Sequence, residues 1–216
     1  MAAPDPQIRG QVEERLATLL ERGELLPGAV VPIAALARRW SVSETPVREA
    51  GWRAVGAGLL VPEPRGGFRV REPDIDGLRD LYDALELLLV SAIGLLPASA
   101  SRTRRAATLP DADRGPDPGD ADAASTFLKL ARLAGNVEFV ELIRRLGNRL
   151  APFRRAEASF LADDSREADL LMDALKRGSR ADMRIAIRRY CRRRRTLAPA
   201  TLGLIAEWRR AAAHQD

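Results

Sequence analysis

The chain has 216 residues, 46% of them hydrophobic, so it is long enough to bury one large core or the cores of two small domains. Its 35 basic and 30 acidic residues give a net charge of +5, which fits a nucleic-acid partner but equally fits an arginine-rich coding bias. A single cysteine, Cys191, excludes an intramolecular disulfide, and the absence of a long apolar run argues against a membrane span and favours a cytoplasmic protein.

Three helices are predicted in the first part of the chain. Apolar residues at helical spacing predict one helix from about residue 5 to 21 and a second over Ile33–Trp40. Ser43 is expected to cap the third by accepting a hydrogen bond from a free backbone N–H, with Glu44 at the positive end of the helix dipole. The third helix then separates an apolar inner side from a polar outer side that includes Thr45 and Arg48.

Two short strands, residues 59–61 and 67–70, are predicted after these helices, and the turn between them contains Arg65 and two glycines. Val30 and Val31 are expected to add a small strand beside them. This order is typical of a winged helix-turn-helix, whose second motif helix enters the major groove of DNA. The residues expected to face DNA are Arg38, Ser43, Glu44, Thr45, Arg48, Arg65, Gly66 and Gly67.

The rest of the chain shows helical patterns without any strand signal. Residues 72–76 are predicted to be a linker with Asp76 capping the next helix, and helices are predicted over 77–96, 122–134, 137–160, 167–177 and 179–195. Pro199 is predicted to open a last helix, and residues 109–122 to form a solvated loop. The expected fold is mainly α: a DNA-binding domain over 1–71 with a small β-wing, and an all-α helical-bundle domain over 77–216.

Six arginines between positions 188 and 195 form a dense basic cluster on one of these helices. The cluster is interpreted as a solvated face that pairs with acidic neighbours, in preference to a nucleic-acid arm. Cys191, within it, is either an unused thiol or, less favoured, a redox sensor.

In the first domain, Leu36-Ala37 is followed by the phrase Val42-Ser43-Glu44-Thr45-Pro46-Val47-Arg48-Glu49-Ala50. Together with Leu26-Pro27-Gly28 and the glycine pair of the wing, this phrase resembles the GntR family of bacterial transcription regulators. The resemblance is not complete. It departs where the family usually has an arginine that reads guanine, because Glu44 stands there and can only accept a hydrogen bond, as from a cytosine amine. Arg48 is expected to make the main base or phosphate contact, unless it is held in an internal ion pair with Glu44 or Glu49.

The second domain is similar to the FadR branch of that family, through Ala134-Gly135-Asn136 and Met172-Asp173-Ala174-Leu175. Members of this branch commonly hold a divalent metal with one aspartate and three histidines. The matching positions here are Ala123, Phe127, Ala168 and Tyr190, and His214 is the only histidine of the chain, so we expect no metal and no other cofactor.

Two interpretations of the helical interior remain open. In one, Phe127 and Tyr190 fill the former metal site and the domain serves mainly for dimerisation. In the other, an apolar small-molecule effector binds a pocket lined by Leu85, Phe127, Ala168 and Tyr190, with the Tyr190 hydroxyl supplying a hydrogen bond. Leu85 and Leu89 stand where the family often has an arginine and a glutamate, so anchors for a carboxylate effector are depleted.

The resemblance implies a homodimeric, sequence-specific regulator, expected to be a repressor, that binds a pseudo-palindromic operator in double-stranded DNA. The alternative is a degenerate member of the family that acts as a ligand-independent DNA-binding or protein-interaction dimer. No arrangement of catalytic side chains, phosphate-binding glycine loop or nucleotide fingerprint is present, so an enzyme is not expected.

Overall fold

The computed structural model describes residues 6–97, 123–161 and 164–213 of the chain. It confirms the expected class, since the described chain is mainly helical with one small antiparallel sheet. The elements are α1 (Pro6–Glu21), α2 (Ile33–Trp40), α3 (Glu44–Gly56), β1 (Leu60–Pro62), β2 (Phe68–Val70), α4 (Ile75–Leu95), α5 (Ala123–Ala134), α6 (Val137–Glu157), α7 (Asp164–Lys176) and α8 (Arg180–Ala213). The loop predicted over 109–122 and His214 lie outside the described residues.

By its internal packing the chain divides into two compact units. Within the described residues, the first contains 6–74, 148–156 and 200–213, and the second contains 75–97, 123–147, 157–161 and 164–199. The boundary after residue 74 falls inside the predicted linker. The last part of α6 and the last part of α8 belong to the first unit, which no sequence pattern indicated.

The core of the winged-helix region is built by α1, α2, α3 and the two strands. Apolar residues recur along each helix at spacings that place them on one face, and burying these faces together removes them from water. The fully packed members are Val12, Leu16, Leu19, Leu20, Val31, Ile33, Leu36, Ala37, Val47, Ala50, Leu60, Phe68 and Val70. The arrangement leaves the outer side of α3 open to solvent.

The turn between α2 and α3 spans residues 41–43, as predicted. Ser41 adopts a left-handed backbone with φ of 56°, and its N–H donates to carbonyl groups of the last turn of α2. Ser43 has the extended backbone of a capping residue, but its hydroxyl accepts no hydrogen bond from α3, so that prediction was wrong. The reason is Pro46: the third residue of the helix normally donates to the cap, and proline has no N–H.

The wing consists of β1 and β2, which pair antiparallel with Leu60 opposite Val70 and Pro62 opposite Phe68. Each strand begins one residue later than predicted. The connecting turn is closed by a hydrogen bond from Gly66 N–H to Glu63 C=O at 2.9 Å, and positive φ angles of 87° and 92° at Gly66 and Gly67 explain the glycine pair.

A third extended segment joins the wing, which confirms the expectation for Val30 and Val31 in a reduced form. Val30 forms an isolated antiparallel bridge with Arg69. The neighbouring Val31 N–H donates to the Phe68 carbonyl at 2.8 Å. These bonds tie the connection between α1 and α2 to the base of the wing.

Helix α4 begins at Ile75, one residue before the cap that the sequence predicted. Asp76 therefore lies inside the first turn, where its carboxylate favours the positive end of the helix dipole. It also pairs with Arg79 at 3.0 Å. Asp76 thus stabilises the start of α4, but the prediction that it is the N-cap was wrong.

Helix α8 runs without interruption through Pro199, so the prediction that Pro199 starts a separate helix was wrong. A proline inside a helix leaves the carbonyl four residues earlier without its usual donor, here the carbonyl of Arg195. Arg79 from α4 supplies a replacement, because its Nε donates to the Arg195 carbonyl at 3.4 Å. A hydrogen bond from another helix thus satisfies the Arg195 carbonyl, which Pro199 deprives of its usual donor in α8.

The second unit is an all-helical bundle with an apolar interior. Helix α4 presents a broad buried face, as its leucine pattern predicted, and α5, α7 and α8 add further buried positions. Buried residues of this interior include Leu78, Tyr82, Leu85, Leu89, Ile93, Phe127, Leu130, Ala168, Ile187, Tyr190 and Arg194. Arg194 is the charged residue of this set, and the sequence had predicted a solvated position for it.

Candidate nucleic-acid interface

The outer face of α3 carries the polar residues that the sequence placed there. Ser43, Glu44, Thr45 and Arg48 are all exposed at or near the amino end of the helix. The opposite face is anchored in the core through residues such as Val47. The helix therefore divides as a recognition helix must, with a fixed inner side and an accessible outer side.

Arg48 is engaged within its own helix, in the ion pair that the sequence left open as an alternative. Its Nη2 lies 3.0 Å from Glu44 Oε2, and both side chains are about half exposed, at 50% and 47%. A pair at this spacing on an exposed helix contributes roughly 0.2–0.5 kcal/mol. Since that energy is small, a phosphate or a base edge can replace Glu44 as the partner of Arg48.

The remaining charged groups of α3 are anchored to α1. Glu49 pairs with Arg9 at 3.1 Å, and Arg53 pairs with Glu13. Glu49, the other partner considered for Arg48, is therefore already occupied. Sequence reasoning missed these two pairs, because they join residues about 40 positions apart and only the docking of α1 on α3 brings them together.

The wing presents one arginine outward and turns another inward. Arg65 and Gly66 are exposed at the tip, whereas Gly67 is half-buried. Arg69, on β2, folds back to pair with Glu63 and to donate to the Gly28 carbonyl at 2.6 Å. Arg65 is thus the wing arginine that is placed to reach DNA, and Arg38 is exposed in the last turn of α2.

Gly51 and Trp52 form a feature that the sequence did not explain. Gly51 is buried in α3, and a Cβ atom at this position would overlap the ring of Phe68 from the wing. The indole of Trp52 meets the same ring edge-on, with centroids 5.2 Å apart and an interplanar angle of 89°. A glycine that costs about 1 kcal/mol in a helix therefore allows the wing to pack directly on the recognition helix.

Residues 8–70, which contain the whole of this surface, match the sequence profile of the bacterial regulatory proteins of the gntR family. This segment of the chain is a DNA-binding region of the gntR type. The match covers the three helices and the wing, so this DNA-binding region is the one built around α3.

Solved structures are similar in fold to this chain over most of its length. Escherichia coli McbR/YncC is 20% identical with a TM-score of 0.63, over 93% of this chain and 99% of that one. A Rhodococcus sp. RHA1 protein described as transcriptional regulator GntR is 18% identical with a TM-score of 0.64, over 89% and 97%. Listeria monocytogenes Lar, described as controlling expression of the agr system, is 17% identical with a TM-score of 0.51, over 93% and 99%. No curated protein sequence matches the chain significantly.

The four residues expected to line an effector pocket all lie in the interior of the regulator's helical unit. Leu85, Phe127, Ala168 and Tyr190 are each at least 97% buried. Phe127 and Tyr190 are in direct edge-to-face contact, with centroids 4.9 Å apart at 86°. The structure thus brings the two aromatic residues together at the position where the family resemblance placed metal ligands.

The interpretation of the basic cluster as a solvated face is wrong for Arg194. Its side chain is fully buried and pairs with Glu167 at 2.7 Å and with Glu157 at 3.4 Å. Its guanidinium carbon lies 3.3 Å from the centroid of the Tyr190 ring, and the hydroxyl of Tyr82 donates to the Glu157 carboxylate at 2.7 Å. The other arginines of the cluster are exposed or half-buried, so the prediction was wrong for Arg194 and fits its neighbours.

Cys191 is also buried in this region. Removal from water raises the pKa of its thiol from 9.0 to about 12, and the nearby carboxylate of Glu86 acts in the same direction. A thiol with such a pKa is almost entirely protonated at neutral pH and is a poor nucleophile, which argues against a redox sensor.

Two features are absent from residues 6–97, 123–161 and 164–213, the part of the chain that the structure describes. No group of three or more His, Cys, Asp or Glu side chains within these ranges is arranged to hold a metal ion. No helix within them combines the length and apolar character that crossing a bilayer requires. The family that matches residues 8–70 consists of regulatory proteins and not of enzymes.

Proposed function

We propose that the regulator is a cytoplasmic homodimer that binds a pseudo-palindromic operator and represses transcription, with a small apolar metabolite modulating its binding. The observation that carries the proposal is the exposed polar face of α3, followed directly by a β-wing, in the segment that matches the gntR profile. In this proposal, residues 1–71 form the DNA-binding domain and residues 72–76 form the linker. Residues 77–216 form the domain that dimerises and binds the effector, as in the FadR branch.

At the DNA surface, Arg48 and Thr45 contact the major groove, where Glu44 accepts a hydrogen bond from a cytosine amine once Arg48 has moved to the DNA. Ser43 and Arg38 contact phosphates at the amino end of α3, whose N–H groups and dipole favour an anion there. At the wing, Arg65 reaches a phosphate or the minor groove, and the small Gly66 and Gly67 allow the backbone to approach closely. These groups are exposed, apart from the half-buried Gly67, and their exposure supports the assignment.

A ligand-independent dimer is the second candidate, and one observation favours it. Phe127 packs edge-to-face on Tyr190 in an interior where Leu85 and Ala168 are also buried, so the position of the proposed pocket is filled by side chains. An effector that binds only the folded protein raises its melting temperature by mass action. A thermal-shift survey of acyl and polycyclic metabolites and of divalent metals therefore separates the two candidates. Stabilisation by Zn²⁺ or Ni²⁺ that a chelator reverses would overturn the assignment of an apolar, metal-free interior.

The DNA-binding proposal is tested by sequencing the genomic fragments that the purified regulator retains, followed by footprinting. A homodimer of winged helices should protect two half-sites about one helical turn apart. Sedimentation of the free protein and of the complex gives the number of chains. Binding without sequence preference, lost uniformly as salt increases, would contradict a sequence-specific regulator and favour loose DNA association.

A further inference from the structure

Trp52 is the exposed aromatic residue of the recognition helix. The residue is 59% exposed, although indole is among the largest apolar groups available to a protein. A single exposed hydrophobic residue needs no special explanation. The position of Trp52 on α3 and its fixed orientation make it informative.

Trp52 continues the stripe of the helix that faces outward at Thr45. At about 100° per residue, seven residues return the side chain to within roughly 20° of the same direction. Thr45 is exposed at the start of α3, and Trp52 is exposed seven residues later. Both side chains therefore leave the helix on the same side.

The axial distance between these two residues places Trp52 at the margin of a groove. Seven residues of helix span roughly 10 Å, and the major groove of B-DNA is about 8.5 Å deep. When the amino end of α3 enters the groove and Thr45 lies over the base edges, Trp52 lies at the level of the groove rim. The sugar-phosphate backbone runs at that position.

The surroundings of Trp52 hold the indole in place. Its ring packs edge-to-face with Phe68, which is 98% buried in the base of the wing, and the missing side chain of Gly51 lets Phe68 approach α3. A preorganised side chain loses little conformational entropy on binding. An indole has one hydrogen-bond donor and no acceptor, which suits a phosphate oxygen.

We propose that Trp52 is a DNA-backbone contact: its indole N–H donates to a phosphate oxygen at the groove margin, while its ring lies against the adjoining deoxyribose. The inference rests on the proposed function, since it requires α3 to lie in the major groove. Such a contact fixes the register of the helix on the duplex and carries no sequence information. It therefore acts on specific and nonspecific DNA alike.

A neutral donor has a signature that separates it from the arginines of the same surface. Each arginine that neutralises a phosphate releases counterions, so its removal lowers the slope of log affinity against log salt by about one. Trp52 carries no charge, so replacing it lowers the affinity and leaves the slope unchanged. A change in protein folding would instead lower the melting temperature.

The first experiment uses Trp52 as its own probe. In the variant Trp40→Phe, Trp208→Phe, the remaining tryptophan emission comes from Trp52, and a mixed-sequence duplex at low salt serves as ligand. The acrylamide quenching constant is expected to fall about twofold at saturation, because the DNA backbone covers the exposed ring. Unchanged quenching, while the anisotropy of a labelled duplex shows saturation, would overturn the inference.

The second experiment compares Trp52→Phe with the matched control Trp208→Phe. Phenylalanine keeps an aromatic edge against Phe68 and removes the N–H, so we expect affinity for both the operator and the mixed duplex to fall about fivefold, as for one lost hydrogen bond. The control should bind as the wild type does. Equal affinities of Trp52→Phe and Trp208→Phe would sink the inference, whereas failure of the wild type to bind any duplex would overturn the proposed function with it.

Discussion

Arginine is used in opposite ways on the surface of α3 and in the interior of the helical unit. Arg48 is half exposed and holds a single carboxylate at 3.0 Å, in an environment where water screens the pair. Arg194 is fully buried and holds two carboxylates, Glu157 and Glu167, with an aromatic ring against its guanidinium. The exposed arginine can exchange its partner for DNA, while the buried one is committed to the fold.

The largest effect is expected from breaking the interior cluster. Arg194→Met removes the buried cation that pairs with Glu157 and leaves Glu167 with Arg193, 2.6 Å away, as its remaining cation. This should lower the free energy of unfolding by about 3–5 kcal/mol. Thermal and urea denaturation followed by circular dichroism measure the loss. The matched control is Arg189→Met, at an exposed position of the same helix, which should change stability by less than about 0.5 kcal/mol. Equal stabilities of the two variants would contradict the assigned role of Arg194.

The next effect concerns the contact between the recognition helix and the wing. Gly51→Ala places a methyl group into the ring of Phe68, and overpacking of this kind costs about 1–3 kcal/mol. Gly56→Ala is the control, because a Cβ there meets open space and alanine has the higher helix propensity. Urea denaturation should therefore show Gly51→Ala to be less stable than the wild type and Gly56→Ala to be at least as stable. A stabilised Gly51→Ala variant would show that Phe68 moves aside freely.

The variant Arg48→Ala tests the exposed arginine of this comparison. Losing an exposed ion pair should change the free energy of unfolding by less than about 0.5 kcal/mol, whereas losing a base contact should weaken operator binding by about 1–3 kcal/mol. Fluorescence anisotropy with operator and mixed-sequence duplexes measures both affinities. A uniform loss on the two duplexes, with a salt slope lower by about one, would reassign Arg48 to a phosphate.

The smallest effect is expected at Cys191, inside the same buried region. Because its pKa is raised from 9.0 to about 12, the thiol should react with a disulfide reagent at pH 8 only after unfolding. The raised pKa also gives a stability contribution that is complete below pH 9 and is lost as the pH rises to about 12. Reaction rates with and without denaturant measure the first effect. Rapid labelling of the native protein would show that the region opens readily.

The sequence predicted most of the DNA-binding region because that region is specified locally. The stretch from residue 33 to 70 contains the helix periodicity, the turn and the wing glycines, so boundaries were correct to within about one residue. The exception, the absent cap at Ser43, depended on Pro46 three residues later. Ser43 and Pro46 both stand in the sequence. The missing cap is predicted only when the N–H groups that can donate at the start of α3 are counted.

In the helical unit, the hydrophobic periodicity was sufficient to predict the helices. It was insufficient to predict which side chains pair in the interior between them. The continuation of α8 through Pro199 depends on Arg79, which lies in another helix. The partners of Arg194 lie 27 and 37 residues earlier in the chain, and one more member, Tyr82, is farther still. No periodicity distinguishes one inward arginine among five neighbouring ones, so only the tertiary packing identifies it.

The order of these residues along the chain has a consequence for synthesis on the ribosome. Glu157 and Glu167 are translated before Arg194, and at about 5–20 residues per second the cation follows Glu167 by roughly 1 to 5 s. During that interval the nascent bundle holds two carboxylates that cannot enter an apolar interior unaccompanied. We therefore expect the bundle to close late, when the final helix arrives, and the winged-helix segment, made first, to fold before it.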